Sequence, residues 1–381
     1  MLFEIHMLKN YPVTNLNRDE SGTPKTCYFG GSQRGRISSQ CLKRSWRTSG
    51  FFKSMESYAS RSRGLPSVVE EKLLECGIDK ESAVAFVEKI PALVEKKSTG
   101  SNGKKKEKKT KNGSIATGQT IFFSPADVDA LVKIACEKYK TGKLNALSAD
   151  DISTALLAED TRAITMDIAL FGRMVTSAVF VDVEAAMQVA HAISTHPVNL
   201  ESDFYTAVDD LLELRKDVES DKGADMMGDV DYNSCCYYIY ASLDVDKLKE
   251  NLKNSPDALA KIDQIIPVLL RTMAFTDPSG MQNTLAGHVR PEVVLVECKR
   301  EKIPLSYANA YAEAVSRTSR KVVQDSTDKL VAEVDLMDRY YGCEVAHRGW
   351  MAVRSENSPE HCESFTGLDQ LIEACAAWAK E

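Results

Sequence analysis

The sequence predicts an α+β fold, in which strands and helices share one core and two long insertions interrupt it. Three observations support this class: an alternating segment at the N-terminus, a helical pattern from about residue 66 to 160, and strand patterns that return near residues 232 and 291. With 381 residues, 43% of them hydrophobic, the chain can bury a sizeable core. Strands separated by helices, with few long parallel βαβ runs, fit a sheet-and-helix core of the ferredoxin-like or RRM type.

The first elements follow from local patterns. Residues 2–8 read as a strand because Phe3, Ile5 and Met7 occupy alternate positions. The turn-rich stretch NLNRDESGTPK follows, and residues 37–49 predict a short helix. Within the helical region, the Lys-rich tract 96–114 lacks the apolar residues needed for packing. We therefore expect a flexible loop, and favour solubility over nucleic-acid contact as the role of its lysines.

The later elements are predicted in the same way. The β-leaning run at 164–181 indicates one or two strands, and Asp182 is expected to cap an amphipathic helix over DVEAAMQVAHAIST. A polar, acidic excursion at 197–231 precedes the strand pattern YNSCCYYIYASLDV. A helical stretch at 256–275, a strand at PEVVLVECK and C-terminal helices complete the chain.

Charge is segregated along the sequence. The net charge is −7, yet residues 1–64 carry eleven Lys/Arg against four Asp/Glu, a local +7 that leaves −14 for the remainder. A basic surface on an otherwise acidic protein can bind a polyanion at one face. Residues 1–64 therefore predict a nucleic-acid contact that the pI of about 5.6 conceals.

The basic helix has two distinct faces. Ser38 or Ser39 is a suitable N-cap. At about 100° per residue, Gln40, Lys43, Arg44 and Arg47 fall within one arc, opposite Leu42 and Trp46. Four donors beside a helix N-terminus suit a row of phosphates. The alternative, a merely solvated basic face, stays open, although no acid lies between residues 34 and 55 to neutralise it.

Several protein classes find no support in the sequence. Ten cysteines occur without a Cys-x-x-Cys pair, six histidines without an HExxH arrangement, and no Walker or GxSxG motif is present. No signal-like start and no apolar run of 18 residues occurs. We expect a cytoplasmic protein with reduced thiols, no metal, no cofactor and no membrane partner.

An ordered series of segments resembles one known family. NLNRDESGTPK, FGG and RISSQCLKRSWR are similar to the opening of the CasC backbone subunits of the type I-E CRISPR Cascade complex, in the RAMP superfamily. LFGRMVTS, AHAISTH, FYTAVDDL, YNSCCYYIYASLD, GMQNTLAGH and PLSYANAYAEAV resemble later blocks of that family in the same order. The resemblance spans roughly residues 2 to 315 and is more specific than any one motif.

This resemblance implies the architecture of a right hand. An RRM-like palm would comprise residues 1–55, 161–196 and 232–381 with the C-terminal helices, a helical fingers insertion residues 56–160, and an extended thumb residues 197–231. Copies of such proteins line up along the CRISPR guide RNA (crRNA) with other Cascade subunits, so that exposed RNA segments can pair with target DNA. The resemblance implies RNA-backbone contacts by Arg18, Lys25, Ser38, Gln40, Lys43 and Arg47, and helix geometry adds Arg44.

The predicted thumb contains an apolar pair between glycines, in the segment GADMMG at 223–228. Packing against the protein's own core is one explanation. The family resemblance instead implies that Met227 is a wedge against a splayed RNA base, with Met174 and Phe204 nearby. We favour the wedge, and expect apolar contacts because several aspartates crowd the segment.

Catalysis is the main alternative. Some type III relatives cut RNA with an acid in the loop after the first strand, where Asp19 and Glu20 lie here. We favour a structural role for Asp19, ordering its loop or pairing with Arg18, and expect no catalytic residue. A metal-dependent RNA-cleaving subunit using Asp19, and a protein scaffold whose basic face is only solvated, remain the competing hypotheses.

Overall fold

A computed structural model describes residues 1–55, 57–94, 115–158, 162–175, 177, 179–207 and 226–381. These residues form two compact units, which we describe separately. The first comprises residues 1–52, 189–242 and 264–381, and the second residues 53–188 and 243–263. The Lys-rich tract 96–114 and the start of the GADMMG segment, residues 223–225, lie outside the described residues.

Strands and helices are interspersed along the chain. The strands are β1 (Leu2–Thr14), β2 (Thr26–Phe29), β3 (Ser32–Ile37), β4 (Ser60–Ser62), β5 (Ile121–Phe123), β6 (Met187–Val189), β7 (Ala192–Ser194), β8 (Glu201–Ala207), β9 (Met226–Asp244), β10 (Val293–Lys299), β11 (His347–Ala352) and β12 (Glu363–Ser364). The α-helices are α1 (Ser39–Arg47), α2 (Gly50–Lys53), α3 (Leu65–Glu75), α4 (Lys80–Val87), α5 (Ile90–Val94), α6 (Pro125–Lys140), α7 (Ala149–Ala158), α8 (Met166–Phe171), α9 (Val245–Asn251), α10 (Pro256–Leu259), α11 (Ile265–Phe275), α12 (Gln282–Leu285), α13 (Val322–Tyr341) and α14 (Leu368–Trp378).

The first unit is built on a large mixed sheet. Its strands hydrogen-bond in the order β12-β11-β10-β1-β9-β7-β3-β2, and β8 pairs with β9. Strand β1 is central and antiparallel to β10, with Leu2 opposite Lys299 and Leu8 opposite Val293. Every residue of β10 is buried, which explains its nearly continuous apolar sequence VVLVECK. The α+β class predicted from the sequence is therefore confirmed.

A buried charged network crosses this sheet. Glu297 on β10 accepts hydrogen bonds from Arg348 Nε (2.7 Å) and Tyr307 Oη (3.0 Å), and lies 3.2 Å from Lys299 Nζ. Lys299 also pairs with Glu4 of β1. Burial alone would raise the pKa of Glu297, but the nearby positive charge of Arg348 holds it below its ordinary value. The Glu297 carboxylate therefore stays ionised inside the sheet because cations are buried with it, whereas burial raises the pKa of Glu4 above its ordinary value.

The second unit is mainly helical and has its own apolar core. The buried faces of α3 through α7 supply Leu73, Phe86, Leu131 and Ile152 to one cluster, against which the two-stranded sheet β4-β5 packs through Phe123. Ser124 caps α6 in a capping box with Asp127, whose carboxylate also pairs with Arg173 at 2.8 Å. Helices α3 to α7 confirm the helical pattern predicted for residues 66–160 in the described part of that range, except that Ile121–Phe123 form strand β5.

Most local predictions are confirmed, but two are wrong. Residues 166–171 form helix α8 rather than a strand. The sequence pattern did not indicate this helix, because Met166 through Leu170 are all buried and their apolar residues therefore show no helical period. Instead of the helix predicted after Asp182, this part of the chain contains two short strands, β6 and β7. Ile193 pairs with Arg36 of β3 and with Tyr238 of β9, and Asp182 Oδ1 accepts from the Val175 amide at 2.7 Å rather than capping a helix.

Candidate nucleic-acid interface

Helix α1 presents a cationic face because its opposite face is fixed in the core. Leu42 and Trp46 are 2% and 1% exposed. Ser38 caps the helix, and its hydroxyl accepts from the Cys41 amide at 3.3 Å. On the other side, Gln40 and Arg44 are exposed, and Lys43 and Arg47 are half-buried. The two faces predicted from the helical wheel are confirmed.

Asn17 connects the helix to the preceding loop. Its side-chain Oδ1 accepts from the Ser38 amide at 2.8 Å, while its backbone carbonyl accepts from the Lys25 amide at 2.8 Å. The Lys25 carbonyl in turn accepts from the Arg36 amide at 2.8 Å, next to the start of α1. These hydrogen bonds therefore hold the backbones of Lys25 and Ser38, which are 13 positions apart, in one hydrogen-bonded frame around the start of α1. The sequence analysis noted the turn-rich character around Asn17 but missed this role. The signal that could have indicated it is an Asn within a turn, because such side chains often bond to the backbone.

Asp19 orders the loop that carries Arg18. Its Oδ1 accepts from the Ser21 amide (2.9 Å), the Ser21 hydroxyl (2.7 Å) and the Thr23 amide (3.1 Å). The Ser21 hydrogen bond is the main reason that the pKa of Asp19 lies below its ordinary value. Of its two expected structural roles, the structure shows loop ordering. Among the residues described, no group of three or more His, Cys, Asp or Glu side chains could hold a metal ion.

An open groove brings Arg18 and Arg44 together. The groove has a volume of about 730 Å³ and is lined by Arg18, Asp19, Arg44, Ser45 and Asp277 among others. Arg18 and Arg44 therefore face one polar groove between the turn-rich loop and α1.

Two of the basic residues in positions 1–64 are structural rather than available to a ligand. Lys9 is buried, and its Nζ donates to Asp277 at 3.0 Å. Arg34 is also buried, and donates to the carbonyls of Ser194 (2.9 Å) and Tyr311 (2.8 Å). The local charge of +7 therefore overstates the basic surface. Six further cations belong to the first unit, in the loop, on β3 or on α1, whereas three belong to the second unit, Lys53, Arg61 and Arg63.

Strands β8 and β9 form a hairpin with an exposed apolar face. Phe204 pairs with Asp229, and Thr206 pairs with Met227. Because paired and alternate residues share a face, Phe204 and Met227 are diagonal neighbours on one side of the hairpin. They are 60% and 65% exposed, so the alternative that Met227 packs into the protein's own core is wrong.

The base of this hairpin is tied to the turn-rich loop. Asp231 Oδ2 accepts from Thr23 Oγ1 at 2.7 Å, and its Oδ1 accepts from Ser202. Asn15 Nδ2 donates to the Asp231 carbonyl at 2.7 Å. Hydrogen bonding from Ser202, and then from Thr23, lowers the pKa of Asp231. Asp231 thus has a positioning role that the sequence analysis, which counted it only as a repulsive charge, did not predict.

Met174 belongs to the second unit and is 94% exposed. Its neighbour Arg173 is buried and anchored by hydrogen bonds to Val181 O (3.0 Å) and Asp127 Oδ2 (2.8 Å). The backbone of Arg173 also pairs with Val183. Met174 is therefore an exposed apolar side chain on an anchored loop, and its proximity to Phe204 and Met227 stays a prediction.

Comparisons with known proteins agree with this architecture. A family model described as "CT1975-like protein" matches residues 3–377. A chain of a solved "CRISPR RNA-guided surveillance complex, pre-nicking" is 27% identical, with a TM-score of 0.84 and 100% of both chains covered. A chain of another "CRISPR RNA-guided surveillance complex" is 24% identical, with a TM-score of 0.74 and 99% of both chains covered, and shows the fold alone. A comparison with curated proteins returns no significant match.

Within the described residues, no helix is long and apolar enough to cross a membrane.

Proposed function

The chain belongs to the CT1975-like protein family, and from that premise we propose that it is a non-catalytic backbone subunit of a type I-E CRISPR surveillance complex. In this proposal, copies of the chain line up along a crRNA in the cytoplasm and contact other Cascade subunits. Each copy holds the RNA backbone and kinks the strand, so that the exposed segments can pair with target DNA.

The observation that carries the proposal is the frame around α1. Leu42 and Trp46 fix one face of the helix, and Asn17 fixes Ser38 and Lys25 relative to it. The side chains of Lys43 and Arg44 have no hydrogen-bond or ion-pair partner among the described residues. Such preorganised cations suit phosphates, which position a nucleic acid without reading its sequence.

The β8-β9 hairpin supplies the second part of the proposal. Phe204 and Met227 present an apolar face beside the carboxylate of Asp229, which repels phosphates. We propose that this face contacts bases, since an apolar side chain at a base step unstacks the strand and kinks it. Met174 is assigned to the same wedge by the family resemblance.

The decisive experiment replaces Lys43 and Arg47 by alanine in the assembled complex. We expect weaker retention of the guide RNA, and a salt dependence whose slope falls by about 0.7 for each lost contact to a single-strand phosphate. The measurement is RNA affinity as a function of salt concentration.

A matched control replaces two exposed lysines of the second unit, Lys249 and Lys253, by alanine. This variant loses the same formal charge, and its affinity and slope should equal those of the wild type. An identical loss in both variants would show that only net charge matters, and would contradict the assignment of α1.

A further inference from the structure

A second cationic cluster lies on the sheet beside Lys25. Arg36 Nη1 is 3.2 Å from His191 Nδ1, and Arg36 Nε donates to the Thr26 carbonyl at 3.1 Å. Arg36 lies on β3 and His191 directly precedes β7, and these strands pair with Arg36 opposite Ile193. His191 is exposed, and Lys25 and Arg36 are half-buried.

The geometry of the Arg36–His191 contact fixes the protonation of the imidazole. A guanidinium can only donate hydrogen bonds, so Nδ1 of His191 must be the acceptor. In the neutral ring the proton is then on Nε2, which remains able to donate to a ligand. The contact thus orients an additional N–H donor beside two cations.

The charges around this cluster are positive or neutral. Among the described residues, no carboxylate forms a hydrogen bond or an ion pair with Lys25, Arg36 or His191. Cys27 on β2 and Cys41 on α1 are the nearby thiols, and burial raises the pKa of both, so they stay neutral. Burial first, and then the charges of Arg36 and Lys25, lower the pKa of His191. An anion at this position would relieve the unbalanced positive charge.

We propose that Lys25, Arg36 and His191 form a phosphate-binding site that extends the contact of α1 onto the sheet. The proposal rests on the proposed function, because it takes the phosphate to be one of the bound RNA. It adds Arg36 and His191 as ligands. An RNA phosphate is favoured over a carboxylate of a neighbouring copy because the site is connected to α1. The Arg36 amide donates to the Lys25 carbonyl within the same frame that holds Ser38 and α1.

Phosphate binding at this site is coupled to a proton. His191 is neutral when the site is empty. Its second proton must go to Nδ1, so the imidazolium forms only when the Arg36 guanidinium turns from Nδ1 to the phosphate. A bound phosphate favours this state and raises the pKa of His191. Affinity for RNA therefore rises as the pH falls through the bound-state pKa, and becomes constant below the free-state pKa. One proton gives at most about a tenfold change in affinity per pH unit.

The test measures binding of a labelled single-stranded RNA oligonucleotide to the full chain, as a function of salt and pH, for Arg36→Gln and His191→Gln. We expect Arg36→Gln to reduce the salt slope by about 0.7, and His191→Gln to abolish the proton-linked rise in affinity between pH 8 and pH 6. Thermal unfolding checks that Arg36→Gln folds. The exposed His191→Gln variant provides an independent test if Arg36→Gln does not fold.

The outcomes separate this inference from the proposed function. If Lys43→Ala/Arg47→Ala lowers the slope while both new variants behave like the wild type, the site on the sheet is refuted and α1 stands. If no variant changes the slope, the proposed function fails as well. Loss of self-association in Arg36→Gln, with RNA binding unchanged, would assign the cluster to a contact between copies and overturn the proposal.

Discussion

At the residue scale, Asp19 is a carboxylate that orders a loop, at the position where the hypothesis of RNA cleavage would place a catalytic acid. Its Oδ1 accepts three hydrogen bonds from Ser21 and Thr23. A carboxylate oxygen engaged in this way orders its own loop, and with it the position of Arg18. A general base or metal ligand would have to act through Oδ2, because the lone pairs of Oδ1 are engaged in these hydrogen bonds.

We therefore expect no cleavage when the assembled complex is incubated with a complementary labelled RNA and magnesium. Asp19→Asn should leave this result unchanged and should loosen the loop, because the amide replaces an ionised acceptor. The measurement is product formation on a denaturing gel. Cleavage by the wild type that disappears in Asp19→Asn would establish the metal-dependent alternative.

At the element scale, the hairpin and the helix differ in how far local sequence determines them. Both faces of α1 were predicted because Leu42, Trp46 and the cations lie within nine consecutive residues. The prediction of a helix over residues 187–194 is wrong because the small residues Ala186, Ala190 and Ala192 are compatible with either structure. Pairing with β3 and β9 determines that this segment forms strands. Likewise, burial of Lys9 depends on Asp277, 268 positions away, which no local pattern reveals.

The hairpin makes a prediction of its own. Met227→Ala removes an exposed apolar side chain, so the chain should fold normally while the bases beside each hairpin change their reactivity toward a chemical probe. Tyr205→Ala is the matched control and should leave the pattern unaltered, because Tyr205 is exposed and, paired with Gly228, lies on the opposite face of the hairpin. Unchanged reactivity in Met227→Ala would remove the wedge from the proposal.

At the scale of the whole molecule, the buried network links the beginning of the chain to its end. Glu4 on β1 and Glu297 on β10 share Lys299, and Arg348 on β11 bridges Glu297 to Asp338 on α13. Breaking a buried pair by removing one partner leaves an uncompensated charge, which is strongly destabilising.

Arg348→Met should therefore lower the free energy of unfolding by about 3–5 kcal/mol. Arg271→Met is the control: Arg271 also pairs with a carboxylate, that of Asp369, but the two side chains are 42% and 71% exposed, and the loss of this pair should cost at most about 1 kcal/mol. Urea denaturation of the full chain measures both. Equal effects of the two substitutions would show that the network contributes no more than a surface pair.

The continuity of β9 has a mechanical consequence. From Met226 in the exposed hairpin to Tyr238 and Tyr240 in the core, the backbone is strand throughout, without a loop or a proline. The hairpin is therefore a rigid extension of the sheet, without a hinge along β9. A force applied at Met227 is transmitted along β9 to the hydrogen bonds that hold this strand between β1 and β7. The sheet therefore determines the stiffness of the proposed wedge.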